Sequence, residues 1–182
     1  MTVTHLVTAV ADEIRLATAN LRLPIEYHDD DEDSARQEVQ VFEGYIPKDM
    51  FEQTSYYPCV IVELIELHDM LTAHSEATVG LSFGVFAKKS DSWKDAFHLM
   101  EVVRQRLLSK RELAKRFRLT GDITWQTAQN QPAPFFFVYG ELSYTVYLVQ
   151  EPIPLEREVP ADLLVTDKPE VLKADAFRRQ IK

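Results

Sequence analysis

The sequence predicts an α+β fold: an antiparallel or mixed sheet of about five strands, two main helices packed on one face, and an extended C-terminal arm. Three observations lead there. Two stretches, Val3 to Leu21 and Trp93 to Leu108, carry apolar residues at helical spacing. A period-two alternation runs from Glu76 to Ala87. Strand-like segments follow one another through short connections, which suits antiparallel neighbours better than the long crossovers of a doubly wound parallel sheet.

The first helix places Leu6, Val7, Val10, Ile14, Ala17 and Leu21 on one stripe. Thr2 or Thr4 offers an N-cap hydroxyl, and Pro24 closes the segment. Residues 26–38 then set seven acids against Arg36, a net charge of −6. Asp29, Asp30, Asp31, Glu32 and Asp33 can bury nothing there, so they read as a solvated loop tip. Arg36 to Ile46 resumes as a strand or hairpin arm through Val39 and Val41. Pro58 opens the next strand. Cys59 to Leu67 is apolar on both faces apart from Glu63 and Glu66, which predicts a central, covered strand. His68 to Ser75 reads as a turn, and Glu76 to Ala87 as the clearest strand, with Ala77, Val79, Leu81, Phe83 and Val85 on one face.

Ser92, with Asp95 three residues on, opens the second helix as an acidic capping box. Its stripe is Trp93, Ala96, Phe97, Met100, Val103, Leu107 and Leu108. Gly121 to Thr127 and Phe135 to Val149 supply two more strands. Gln129, Gln131, Pro132 and Pro134 lie in the connection between them, because prolines do not serve a central ladder. Residues 1–150 thus form one α+β domain. Residues 151–182 form a Pro-rich arm, extended over 151–168 and helical from Glu170 to Gln180.

Composition narrows the function. The chain has 182 residues, 46% hydrophobic and 27% charged, so it is a globular domain and not a disordered chain. Lys and Arg number 20 against 29 Asp and Glu, a net charge of −9. That balance counts against nucleic acid, whether bound by phosphate neutralisation or by sequence. The one cysteine, Cys59, sits in an apolar run and excludes an intramolecular disulfide framework. No signal-peptide pattern or span of about 20 apolar residues appears, so a reducing cytoplasm and no membrane are expected.

Motifs of chemistry are missing. No glycine-rich phosphate loop or nucleophile elbow can be placed. His68, Asp69 and His74 have no helical metal-ligand spacing. Glu63 and Glu66 fall on opposite faces of a strand. No nucleophile, base and orienting group assemble, so neither an enzyme nor a cofactor or metal is expected.

Charge layout says more. Arg104, Arg106, Lys110, Arg111, Lys115, Arg116 and Arg118 stand against Glu112 alone, a net charge of +6. The plain reading is a solvated helix end, favoured by the helix dipole. The functional reading is a docking patch that meets the acidic segment of a second copy head to tail. Tyr56, Tyr57, Phe135, Phe136, Phe137 and Tyr139 cannot all face one small core. They either form an interface, or cover a strand edge or pack under the C-terminal arm.

A family likeness accompanies this pattern. It is carried by the run 57–62 (YPCVIV), the alternating strand 79–85 (VGLSFGV), the helix 93–108, the basic segment ending at Leu119, and the run 134–142 (PFFFVYGEL). Over roughly residues 3–150 the chain resembles tail-terminator (tail-completion) and related head–tail joining proteins of tailed bacteriophages and prophages. The resemblance implies a small protein whose sheet carries helices on one face. It implies a homo-oligomeric ring, commonly a hexamer, that caps the tail tube and meets the head connector. Its partners would be itself, the tail tube protein and the head connector protein. Its place would be the virion, after assembly in the host bacterial cytoplasm. The acidic insertion at 29–33 and the long arm depart from the family pattern. Expected contact residues are Asp29, Asp30, Asp31, Asp33, Lys110, Arg111, Lys115, Arg116, Arg118, Gln129, Gln131 and Pro132, with the arm at 151–160. The alternative is a non-enzymatic cytoplasmic adaptor or regulator that binds a protein partner.

Overall fold

A computed structural model describes residues 3–25, 35–46, 53–69, 74–86, 93–127, 131 and 134–147. All of them lie in the compact unit Met1–Leu148; Val149–Lys182, and with it the predicted arm, is outside the described residues.

The fold is α+β. Helix α1 spans Thr4–Thr18 and buries Leu6, Val10, Ala11 and Ile14. Its N-cap is Val3, with no side-chain cap bond, and not the expected Thr4; Thr2 is outside the described residues. The Thr18 hydroxyl turns back to donate to the Ile14 carbonyl, and the helix stops short of Leu21. A small antiparallel ribbon follows, β1 (Arg22–Pro24) against β2 (Arg36–Glu38). The acidic tip residues Asp29, Asp30, Asp31 and Asp33 are outside the described residues.

Among the described residues, the main sheet has seven strands. Strand β3 (Gln40–Glu43) runs parallel to β4 (Cys59–Asp69). β4 pairs antiparallel with β5 (His74–Phe86), so the two ends of the predicted turn at 68–75 are strand, and its middle, 70–73, is outside the described residues. After helix α2 (Trp93–Ser109) come β6 (Glu112–Leu113), β7 (Phe117–Leu119), β8 (Thr124–Thr127) and β9 (Phe135–Tyr147). β9 pairs with β5 on one side; β7 and β8 share its other side, and β6 lies outermost beyond β7. One parallel pair among antiparallel neighbours makes the sheet mixed.

Both helices pack on one face. There Leu6, Val10 and Ile14 of α1 and Leu99, Val103 and Leu107 of α2 meet Val60, Val62, Val79, Leu81, Phe83, Leu142 and Tyr144. The odd-numbered residues of β5 supply this face, as its alternation predicts. Each fully buried aliphatic contributes about 1.5–3 kcal/mol by leaving water.

The helices are also clamped by charge. Glu13, only 7% exposed, accepts hydrogen bonds from Arg106, at 2.9 Å, and from Lys110. Burial pushes the Glu13 carboxyl upward, but the bonds and charges of Lys110 and Arg106 outweigh it, so it titrates below its ordinary value.

The other face of the sheet holds a second core. Tyr57, Cys59, Ile61, Ile46 and Phe86 are buried there, with Phe42, Tyr56, Phe135 and Phe137 packed around them. The aromatics set aside as a possible interface therefore mostly face inward, in a core of their own. Tyr57 is fully buried, its ring 5.3 Å from that of Phe135. Gly84 makes this possible: a Cβ there would lie 2.8 Å from the Phe137 ring and 2.9 Å from the Tyr57 ring. Phe136 packs instead against the first core, and Tyr139 is 40% exposed.

Candidate interaction site at the two sheet edges

Strand β4 changes character at Val62. Cys59–Val62 lies between β3 and β5 and is buried. β3 ends opposite Val62; the Gly44 amide donates to the Val62 carbonyl at 2.8 Å, and Gly44, at φ 87°, redirects the chain. Among the described residues, nothing pairs with Glu63–Asp69 on that side. The prediction of a covered central strand through Leu67 therefore holds only to Val62. The outer residues are all exposed, including Leu64 at 40%, Ile65 at 51% and Leu67 at 39%.

An edge of this length that shows aliphatic side chains and unpaired backbone groups is a template for another chain. A bulge between Leu64 and Glu66, together with the carboxylates of Glu63, Glu66 and Asp69, restrains indiscriminate pairing. Where β3 leaves off, a cavity of about 540 Å³ opens beside the edge, lined by Val7, Tyr45, Leu64, Glu43 and Glu63 among others.

The opposite edge is basic. β6 and β7 form a tight hairpin, closed by the Arg116 amide donating to the Leu113 carbonyl at 3.0 Å. Its central residues Ala114 and Lys115 have φ 48° and 55°, as a type I′ turn demands. That turn usually takes Asn-Gly, because other side chains in the left-handed region cost about 1–2 kcal/mol each. Buried Leu113 and Phe117 anchor the hairpin in the core. A second strap joins the Leu119 amide to the Arg111 carbonyl at 2.7 Å.

The two edges lie at the same end of the sheet. Asp69 is in register with Ser75, Ser75 with Val146, and Val146 with Phe117. Leu67, Ala77, Tyr144 and Leu119 form the parallel row.

The predicted contact residues divide accordingly. Arg111, Lys115, Arg116 and Arg118 are exposed around the hairpin. Lys110 and Arg106 are committed to Glu13, and Arg104 to Glu101, within the same chain. The pairing with Arg104, first among its causes, holds the Glu101 carboxyl down at about 2. The basic segment is thus neither a plain solvated helix end nor a single patch. Gln131 uses its amide on the Phe137 backbone, donating to the carbonyl at 2.6 Å and accepting from the amide, so it straps a loop. Gln129 and Pro132 are outside the described residues. The free half of β4 was missed in the sequence. Its signal was the acids spaced through an apolar run.

Other chemistry is sparse. Burial pushes the Cys59 thiol up to about 12, despite a hydrogen bond with the Gly84 backbone. The Ser75 hydroxyl donates to Asp69 at 2.6 Å. Among the described residues, no group of three or more His, Cys, Asp and Glu is placed to hold a metal ion. No described helix is long and apolar enough to cross a membrane. The sequence matches no known family model and no curated protein.

Proposed function

We propose that the chain is a structural subunit of a phage or prophage tail, a tail-terminator or head–tail joining protein that works as a homo-oligomeric ring. The observation that carries this reading is the pair of unlike sheet edges at one end of the fold. A subunit with one free apolar–acidic edge and one basic edge is built to join copies head to tail, and head-to-tail contacts close into rings when the rotation allows. The resemblance supports it in turn: its quoted segments form β4, β5, α2 and β9, with the helices on one face. Capping would follow from surfaces and not from a reaction. A ring bound to the last layer of the tail tube offers no template for the next layer and leaves a surface for the head connector. The protein would then reside in the virion after assembly in the bacterial cytoplasm.

The test is light scattering across protein concentration, followed by electron microscopy with tubes polymerised from purified tail-tube protein. The expected result is a ring, in solution or on the tube end, that halts tube growth. A monomer or dimer that neither binds tubes nor limits their length overturns this reading and favours the adaptor alternative.

A further inference from the structure

We infer that the partner of the free half of β4 is the β6–β7 hairpin of a second copy of this chain. The inference rests on the ring reading and names the two surfaces that would build it.

The free edge runs about 23 Å at strand rise and carries Leu64, Ile65 and Leu67 between carboxylates. Its occupant must cover aliphatic side chains, supply hydrogen-bonding backbone, and bring positive charge. A two-fold dimer through this edge alone fails the third requirement. The fully overlapped antiparallel register sets Glu63 opposite Asp69 and Glu66 opposite Glu66 of the other copy. Like charges directly opposite destabilise a strand pair. Two hairpins facing each other fail for the mirror reason, since Arg111, Lys115 and Arg118 would meet their own kind.

Only the unlike pairing satisfies both surfaces. The hairpin is short and narrow, and its type I′ turn projects Lys115 at the tip. The cavity at the head of the free edge has Val7, Tyr45 and Leu64 for apolar contact and Glu63 for charge, Glu43 being already paired with Arg15 at 2.9 Å. Both surfaces lie at one level of the sheet, so each copy presents both at once. The contact repeats from copy to copy and does not stop at a pair. The strain of Ala114 and Lys115 in the turn also finds a purpose, because it holds a basic tip clear of the sheet.

The test uses two full-length variants. One reverses the free edge, Glu63→Lys with Glu66→Lys; the other reverses the hairpin, Arg111→Glu with Lys115→Glu. All four positions are exposed, and thermal melting checks that each variant folds like the wild type. At low salt the wild type shows a mass several times that of one chain. Each variant alone loses self-affinity by at least about tenfold, in line with close interfacial charge pairs. Mixed in equal amounts, the variants assemble again, because the basic edge of one now meets the acidic hairpin of the other. About 1 M salt weakens the wild-type assembly.

Three results overturn the inference: a wild-type monomer at every concentration, a folded variant that keeps the wild-type mass, or a mixture of folded variants that stays apart. The second is also what results if residues 149–182 of the same chain fill the edge. Failure here separates from failure of the capping reading. If the variants still form rings that cap tubes, the interface is wrong and the function stands. If the mixed variants assemble as expected but wild-type rings ignore tubes, the interface stands and the function does not.

Discussion

The two halves of β4 are one strand with two fates. Cys59–Val62 is sealed between neighbouring strands and between the two cores, whereas Glu63–Asp69 is open along one edge. Both halves carry branched aliphatics, but the outer half adds Glu63, Glu66 and Asp69. The difference in burial comes from β3, which is short enough to leave the outer half without a partner among the described residues. A strand's burial is thus set by its neighbour's length as much as by its own hydrophobicity.

Thiol labelling should show the contrast at its largest. Cys59 lies in the sealed half, and its thiol is pushed up to about 12. Introduced by Leu64→Cys, a thiol in the open half should react at the rate of a small-molecule thiol. The native Cys59 should lag by at least about a thousandfold, or about 4 kcal/mol, under conditions that keep the chain folded. Comparable rates at the two sites would show that the sealed half opens readily and break the comparison.

Two glycines of β5 sharpen it. Gly84 is in register with Cys59 and Gly80 with Glu63. A methyl at Gly84 would press against the packed rings of Tyr57 and Phe137, whereas at Gly80 its nearest neighbour is the end of the exposed Ile65 side chain. Gly84→Ala should therefore cost about 1–3 kcal/mol. Gly80→Ala should stay within about 1 kcal/mol of neutral, because Ile65 can swing aside and the alanine restricts the unfolded chain. Urea denaturation measures both.

Acids make a finer contrast. Glu13 is buried against two cations, and Glu66 stands in solvent. Because the Glu13 carboxyl titrates below its ordinary value when folded, its contribution is fully present above the unfolded carboxylate range near 4.5. That contribution is lost as pH falls through the lowered folded value. Glu13→Gln should cost about 1–2 kcal/mol at neutral pH and remove this part of the acid sensitivity. Glu66→Gln should change stability by less than about 0.5 kcal/mol. Melting temperature against pH, from pH 7 down to about 3, separates them. An equal loss for both variants would mean that the clamp adds nothing.

Much of the fold could be read from the chain. The stripe Leu6, Val10, Ile14 and the alternation Val79, Leu81, Phe83 are buried where periodicity puts them. The site was less legible. Lys110 and Arg118 look alike in the sequence, yet one is held by Glu13, nearly a hundred residues away, and the other lies on an exposed hairpin. The hairpin itself hides behind Ala114 and Lys115, which carry none of the usual turn chemistry. Tyr57 and Phe135 look surplus until the far face of the sheet is seen to hold its own core.

What the chain determined by itself was the α+β class, the two helices and the inward face of β5, because hydrophobic periodicity is a local property that needs no knowledge of neighbours. The tertiary structure alone decided where β4 is covered, which cations remain at the surface, and that two unlike edges share one end of the sheet. Those depend on which distant segments come together and how far each one reaches, and no window of sequence contains that information.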